Sequence, residues 1–127
     1  MTKPVRLQLS RRKGFNLQAL SQQTNGLPAV NVARPSKWGN PFIPGRDSKV
    51  IPGRKVEDKR HAASLFLGFA PQMPKVVEAA QAELRGKNVA CWCGLCDMHK
   101  ITGKPLGSNC PYCDRCHADV LLELANR

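Results

Sequence analysis

The chain has 127 residues, 42% of them hydrophobic and only 6% aromatic, with a formal net charge of +11. That length suits one domain with a modest core, and the apolar runs are broken too soon to span a membrane. The charge is uneven: residues 1–60 hold 13 Lys or Arg against three acids (net +10), while residues 61–127 hold seven against six (net +1).

In chain order, Val5-Arg6-Leu7-Gln8-Leu9 alternates apolar and polar, the pattern of an edge strand. A basic turn, Ser10-Arg11-Arg12-Lys13-Gly14, follows it. Residues 15–26 are polar and weakly patterned, ending in the turn pair Asn25-Gly26. Residues 1–26 are accordingly expected to form a basic N-terminal arm, with an α/β domain over 27–127. Leu27 to Ala33 is a short apolar run fit for a buried strand, leading into Arg34-Pro35-Ser36-Lys37-Trp38-Gly39-Asn40-Pro41-Phe42. Residues 43–56 carry two prolines and two glycines among basic side chains and read as a mobile loop.

The second half is more regular. Glu57 and Asp58 suit the positive end of a helix continuing to about Ala70, with Ala62, Leu65, Phe66 and Phe69 as its apolar stripe. Pro74 is placed to start a second helix that buries Val76, Val77, Ala80 and Leu84 and stops at Gly86. Asn88 to Cys93 is an apolar strand with Val89, Cys91 and Cys93 on one face and Ala90 and Trp92 on the other. A final helix is expected from Asp114, as N-cap, to about Ala125, burying Val120, Leu121 and Leu124. Strand, helix, helix, strand, helix predicts a small Rossmann-like α/β sandwich with a short, mostly parallel sheet. If its two main strands are parallel, the loops after them leave one edge, where open α/β sheets hold ligands.

All six cysteines and two of the three histidines fall between Cys91 and His117. Cys96-x-x-His99 and Cys110-x-x-Cys113 face each other across ten residues, a spacing suited to a tetrahedral zinc ion held between two tight turns. A disulfide framework would need an oxidising compartment, and the N-terminus lacks the apolar stretch of a signal peptide. Reduced thiols and a cytoplasmic location are therefore expected. The rival ligand set is Cys93, Cys96, Cys110 and Cys113, a four-cysteine ribbon. A third arrangement holds two metals, since six Cys and two His make eight ligands. Four protein ligands leave no open position, so the metal is expected to be structural.

The segments VNVARPSKWGNPF, ELRGKNVACWC and CHADVLLELAN resemble the pattern of a small uncharacterised family of bacterial and phage proteins, catalogued as a domain of unknown function. The resemblance covers about residues 29 to 127 and implies a Rossmann-like α/β fold without an established reaction. In the family pattern the C-W-C strand reaches C-H-[AG]-D through only a few residues. Here some twenty intervene. Cys96, His99, Cys110 and Cys113 therefore look like a zinc knuckle inserted at about 94–115, while Cys91, Cys93, Cys116 and His117 belong to the family core.

Two groups of residues are candidates for a functional site. In the loop after the first main strand, Arg34, Ser36, Lys37 and Asn40 are candidates for phosphate contact. Trp38 is a candidate for base stacking, and Gly39 allows close backbone approach; the plainer role for Trp38 and Phe42 is to plug the core. Near the last helix, His117, Asp119 and Cys116 are candidate catalytic groups, with Cys91 and Cys93 close by. Their plainer roles are core thiols, a backbone cap and a first-turn acid. The expectation is a zinc-stabilised module that binds a nucleotide or nucleic acid through a basic cleft. A small nucleotide- or nucleobase-processing enzyme and a protein-interaction or assembly component are the alternatives.

Overall fold

The computed structural model describes residues 3–34, 36–47, 53–108 and 110–127. Its elements are β1 (Val5–Gln8), α1 (Leu17–Asn25), β2 (Ala29–Asn31), α2 (Lys59–Phe69), α3 (Pro74–Glu83), β3 (Asn88–Cys91), α4 (Asp97–Thr102), β4 (Lys104–Pro105) and α5 (His117–Ala125). The four strands form one mixed sheet in the order β2-β3-β1-β4. β2 and β1 both run parallel to β3, and β4 runs antiparallel to β1. The protein is thus a small α/β domain with a mostly parallel sheet.

The expected pair of parallel strands, β2 and β3, is present, with Val30 opposite Val89. The edge position expected for Val5–Leu9 is corrected: β1 lies between β3 and β4, with Leu7 opposite Ala90. Arg6 and Gln8 gave the strand its half-polar appearance, yet Arg6 is fully buried because its charge is met inside the fold. Residues expected as a weakly patterned arm supply both this strand and α1. The helix has local signals that periodicity did not reveal. Asn16 caps it by accepting from the Ala19 N–H, and Gly26 closes it in the left-handed conformation.

Asn88, buried at the start of β3, joins these pieces. Its Oδ1 accepts from the Val5 N–H and from Asn25 Nδ2, while its Nδ2 donates to Ser21 Oγ and Asn25 Oδ1. One amide with its polar atoms paired links β1, β3 and α1, which is how a buried side chain of this type is made tolerable.

α2 begins where expected, with Asp58 Oδ1 accepting from the His61 N–H, and Pro74 opens α3. α5 lies against β1 and β3, and α2 and α3 pack on α5. This explains why α5 is apolar nearly all round: Ala118, Val120, Leu121, Leu122, Leu124 and Ala125 are all buried. The expected N-cap is corrected from Asp114 to Cys116, whose Sγ faces the Ala118 N–H at 3.5 Å. Asp114 is used elsewhere, bridging to Gly94.

The loop expected to be mobile over 43–56 includes residues 48–52, which lie outside the described residues. Its flanks are tied together: Asp47 and Lys55 form an antiparallel bridge, and Val56 is buried with its N–H on the Arg46 carbonyl.

Candidate metal centre

The chain leaves β3 through Trp92 and Cys93 and turns at Gly94. Leu95, buried, donates its N–H to Gln8 Oε1 at the end of β1. Gly94 and Asp114 pair across the base of the excursion between β3 and α5, with the Asp114 N–H on the Gly94 carbonyl at 2.8 Å and the Gly94 N–H on Asp114 Oδ2 at 3.2 Å. Above that base, Cys96 caps the short helix α4, its Sγ accepting from the His99 N–H at 3.4 Å. The cap and the helical rise bring Cys96 and His99 onto one side.

The ligand atoms of Cys96, His99, Cys110 and Cys113 all lie within 4.8 Å of one another and can hold a metal ion. His99 Nδ1 is 3.3 Å from Cys96 Sγ and 3.2 Å from Cys113 Sγ. His99 and Cys113 are buried and the other two half-buried. Burial pushes the Cys113 thiol up, while the backbone N–H of Tyr112 pulls Cys110 down.

A second sulfur cluster lies a few residues away in the chain but inside the core. Cys91, Cys93 and Cys116 also bring their sulfurs within 4.8 Å of one another. Cys93 therefore belongs with the ends of β3 and α5, apart from the insertion where the four-cysteine ribbon would have used it. Cys91 and Cys116 Sγ are 2.7 Å apart. All six cysteines are free thiols. Hydrogen bonds from Cys116 and Cys91 hold the Cys93 thiol far below its usual range. Cys116 is pushed well up by its bonds to Cys91 and Cys93 and by burial. Cys91 is drawn down by Cys116 but driven up further by Cys93 and by burial. The helix N-terminus therefore does not make Cys116 the acidic thiol of the group; Cys93 takes that part.

Around the three sulfurs stands a buried charge network that the sequence did not announce. Arg6 Nη1 donates to Asp119 Oδ2 at 2.7 Å and to the Asp114 carbonyl at 2.8 Å. Its Nη2 donates to the carbonyls of Cys93 and Gly94. Lys104, also buried, reaches the same Asp119 Oδ2 at 3.1 Å. Burial works against the Arg6 charge, but Asp119 and the Cys91 and Cys116 sulfurs outweigh it and raise its pKa. The signal in the sequence was a single arginine in an apolar strand. It requires an acid within reach, and no local pattern could say which one.

The candidate catalytic groups are positioned as parts of this frame. Asp119 is an ion-pair partner of Arg6 and Lys104. His117 Nε2 donates to the Val32 carbonyl at 2.7 Å, which ties β2 to α5 and turns Nδ1 toward Cys116 Sγ, 3.5 Å away. Burial lowers the His117 pKa, and the carbonyl on Nε2 leaves Nδ1 as the ring's acceptor, facing Cys116 Sγ.

In the loop after β2 the candidate phosphate-binding groups bond mostly to their own loop. Arg34 Nη1 donates to the Asn40 carbonyl, and its side chain passes so close to Gly39 that a Cβ there would sit 2.5 Å from Arg34 Cγ. Gly39 thus makes room for arginine. Asn40 is buried, donating to the Ala62 carbonyl and accepting from the Phe42 N–H. Ser36 Oγ accepts from the Trp38 N–H. Trp38 and Phe42 are buried in the core. Lys37 is exposed, paired with Glu83 and 5.0 Å above the Trp38 ring. Pro35 lies outside the described residues.

This is a small α/β domain carrying a Cys/His turn that could hold a metal ion, beside a cysteine-lined core. A family model described as a domain of unknown function (DUF4326) matches residues 15–127, and the chain belongs to that family. No curated protein and no solved structure matches it. Among the described residues, no helix is long and apolar enough to cross a membrane.

Proposed function

We propose that this protein is a zinc-stabilised, Rossmann-like binding module that holds nucleic acid on the carboxyl edge of its parallel strands. The observation that carries the reading is the meeting of a basic turn and an exposed ring at that edge. β1 and β3 are parallel neighbours, so the turn after β1 and Trp92 after β3 leave the sheet together. The Arg11 guanidinium lies 5.1 Å over the Trp92 ring. Trp92 is 47% exposed, and Arg12 and Lys13, next to Arg11 in the chain, are exposed. A tryptophan face with cations around it offers a base a stacking platform and a phosphate its counter-charge.

The insertion serves this edge as a brace. Three thiolates and an imidazole are a donor set that zinc prefers, and four protein ligands leave it no open position. The Gly94–Asp114 pairing and the Leu95–Gln8 bond fix the brace to the ends of β3 and β1. A nucleotide-processing enzyme has less support, because Asp119 and His117 already hold the fold together.

The test is a titration of a fluorescently labelled single-stranded oligonucleotide, followed by its anisotropy at several salt concentrations. Binding should weaken steeply with salt. Trp92→Ala should cost about 1–3 kcal/mol of affinity, the worth of one stacked base. Arg11→Ala with Arg12→Ala should flatten the salt dependence. Absence of salt-dependent binding would remove the reading. Saturable binding of a free nucleotide alone would move the function to a small-molecule cleft.

A further inference from the structure

Two sulfur clusters are present, and the brace uses only one. We propose that Cys91, Cys93 and Cys116 form a second zinc site. His117 Nδ1 is 3.5 Å from Cys116 Sγ but lies outside the 4.8 Å group of three sulfurs, so the ring must move in to become a fourth ligand. The proposal does not depend on occupancy of the Cys96–Cys113 turn, because the two share no ligand.

Geometry is the first argument. The three sulfurs come from separate places, the end of β3, the residue two beyond Cys91 and the N-cap of α5, yet all lie within 4.8 Å of one another. Ligand atoms around a zinc with bonds of about 2.3 Å to sulfur and 2.0–2.1 Å to nitrogen stand roughly 3.5–3.8 Å apart. His117 Nδ1 and Cys116 Sγ are already 3.5 Å apart. The Cys91–Cys116 pair, at 2.7 Å, must open by roughly 1 Å to become an edge of the tetrahedron.

The second argument is the shell outside the ligands. The bond from His117 Nε2 to the Val32 carbonyl fixes the ring and the tautomer that leaves Nδ1 free to ligate, an arrangement typical of metal-bound histidines. The Arg6 guanidinium holds the carbonyls of Cys93 and Gly94, which orients the turn that carries Cys93.

Charge is the third. Arg6 and Lys104, both buried, share Asp119, and Arg6 also holds the carbonyls of Cys93 and Gly94. Zinc with three thiolates carries one negative charge, and a buried guanidinium beside it lowers the cost of burying that charge. Cys93 is half-buried while Cys91 and Cys116 are buried, which gives the ion a way in.

The experiment is zinc content per chain, by elemental analysis and native mass spectrometry, on full-length protein purified under reducing conditions. Wild type should carry two ions. Cys93→Ser and Cys110→Ser should each carry one, and the double variant none. Exchange into cobalt should show sulfur-to-cobalt charge-transfer absorption in Cys110→Ser. The proposal is overturned if wild type holds a single zinc that Cys93→Ser retains. A Cys91–Cys116 disulfide in place of an ion, seen as a mass lower by two hydrogens, overturns it as well. A single zinc kept by Cys110→Ser and lost in Cys93→Ser would sustain it while removing the knuckle.

Discussion

The two sulfur clusters are neighbours in sequence and opposites in construction. Cys96, His99, Cys110 and Cys113 come from one excursion of the chain, and only the short helix α4 and a few turns hold them. Cys91, Cys93 and Cys116 are brought together by the packing of β3 against α5, with Arg6, Lys104, Asp119 and His117 around them. In the first cluster the ion would organise the peptide. In the second the fold has already organised the site. Removing a ligand should therefore disorder the insertion, whereas the core trio should resist loss of a metal and respond mainly to damage in its frame.

The largest expected effect is on the insertion. A strong chelator, or Cys113→Ser, removes a binding free energy that for structural zinc turns is about 10–16 kcal/mol. Limited proteolysis should then cut within 96–116 before the rest of the chain opens. Equal protection of that segment with and without chelator would erase the contrast between the clusters.

Next in size is Asp119→Asn. It leaves Arg6 and Lys104 buried without their acid, which should cost about 3 kcal/mol in urea denaturation, the lower part of the range for a broken buried pair because Asp119 is partly exposed. A cost under about 1 kcal/mol would show that the network is as weak as a surface bridge.

The smallest of the three is Gly103→Ala, at the joint between α4 and β4. Gly103 has a φ of 77°, and a Cβ there would sit 2.4 Å from Val5 Cγ2. A strained backbone of this kind costs about 1–3 kcal/mol. Amide exchange should quicken at β4 and Val5 while the insertion's metal content stays the same.

Much of this architecture was legible because its signals are local. Asp58 and Pro74 mark helix starts, Gly86 follows the end of α3, and the apolar run over 88–93 contains the strand Asn88–Cys91, which ends two residues sooner than expected. The paired spacings of Cys96, His99, Cys110 and Cys113 gave a ligand set whose atoms the structure brings together. What stayed hidden depends on long-range partners. β1 looked like an edge because Arg6 reads as polar until Asp119, more than a hundred residues away, is known to meet it. β4, only two residues long, has no pattern to detect. Arg34 and Asn40 have the chemistry of phosphate ligands, but the loop closes on them through backbone carbonyls that sequence cannot show.

The short strand β4 sits midway in the loop between the two halves of the Cys/His turn. Joining those halves through one ion makes the segment from Cys96 to Cys110 a closed ring, and β4 is the point where that ring touches the sheet. Two residues of pairing could not recruit a free chain, since each must offset the loss of its own freedom. Inside a ring most of that freedom is already gone, and closing it is the costly event. Lys104 lies on that ring and reaches Asp119, so an ion held in the surface turn would also steady an ion pair at the margin of the core.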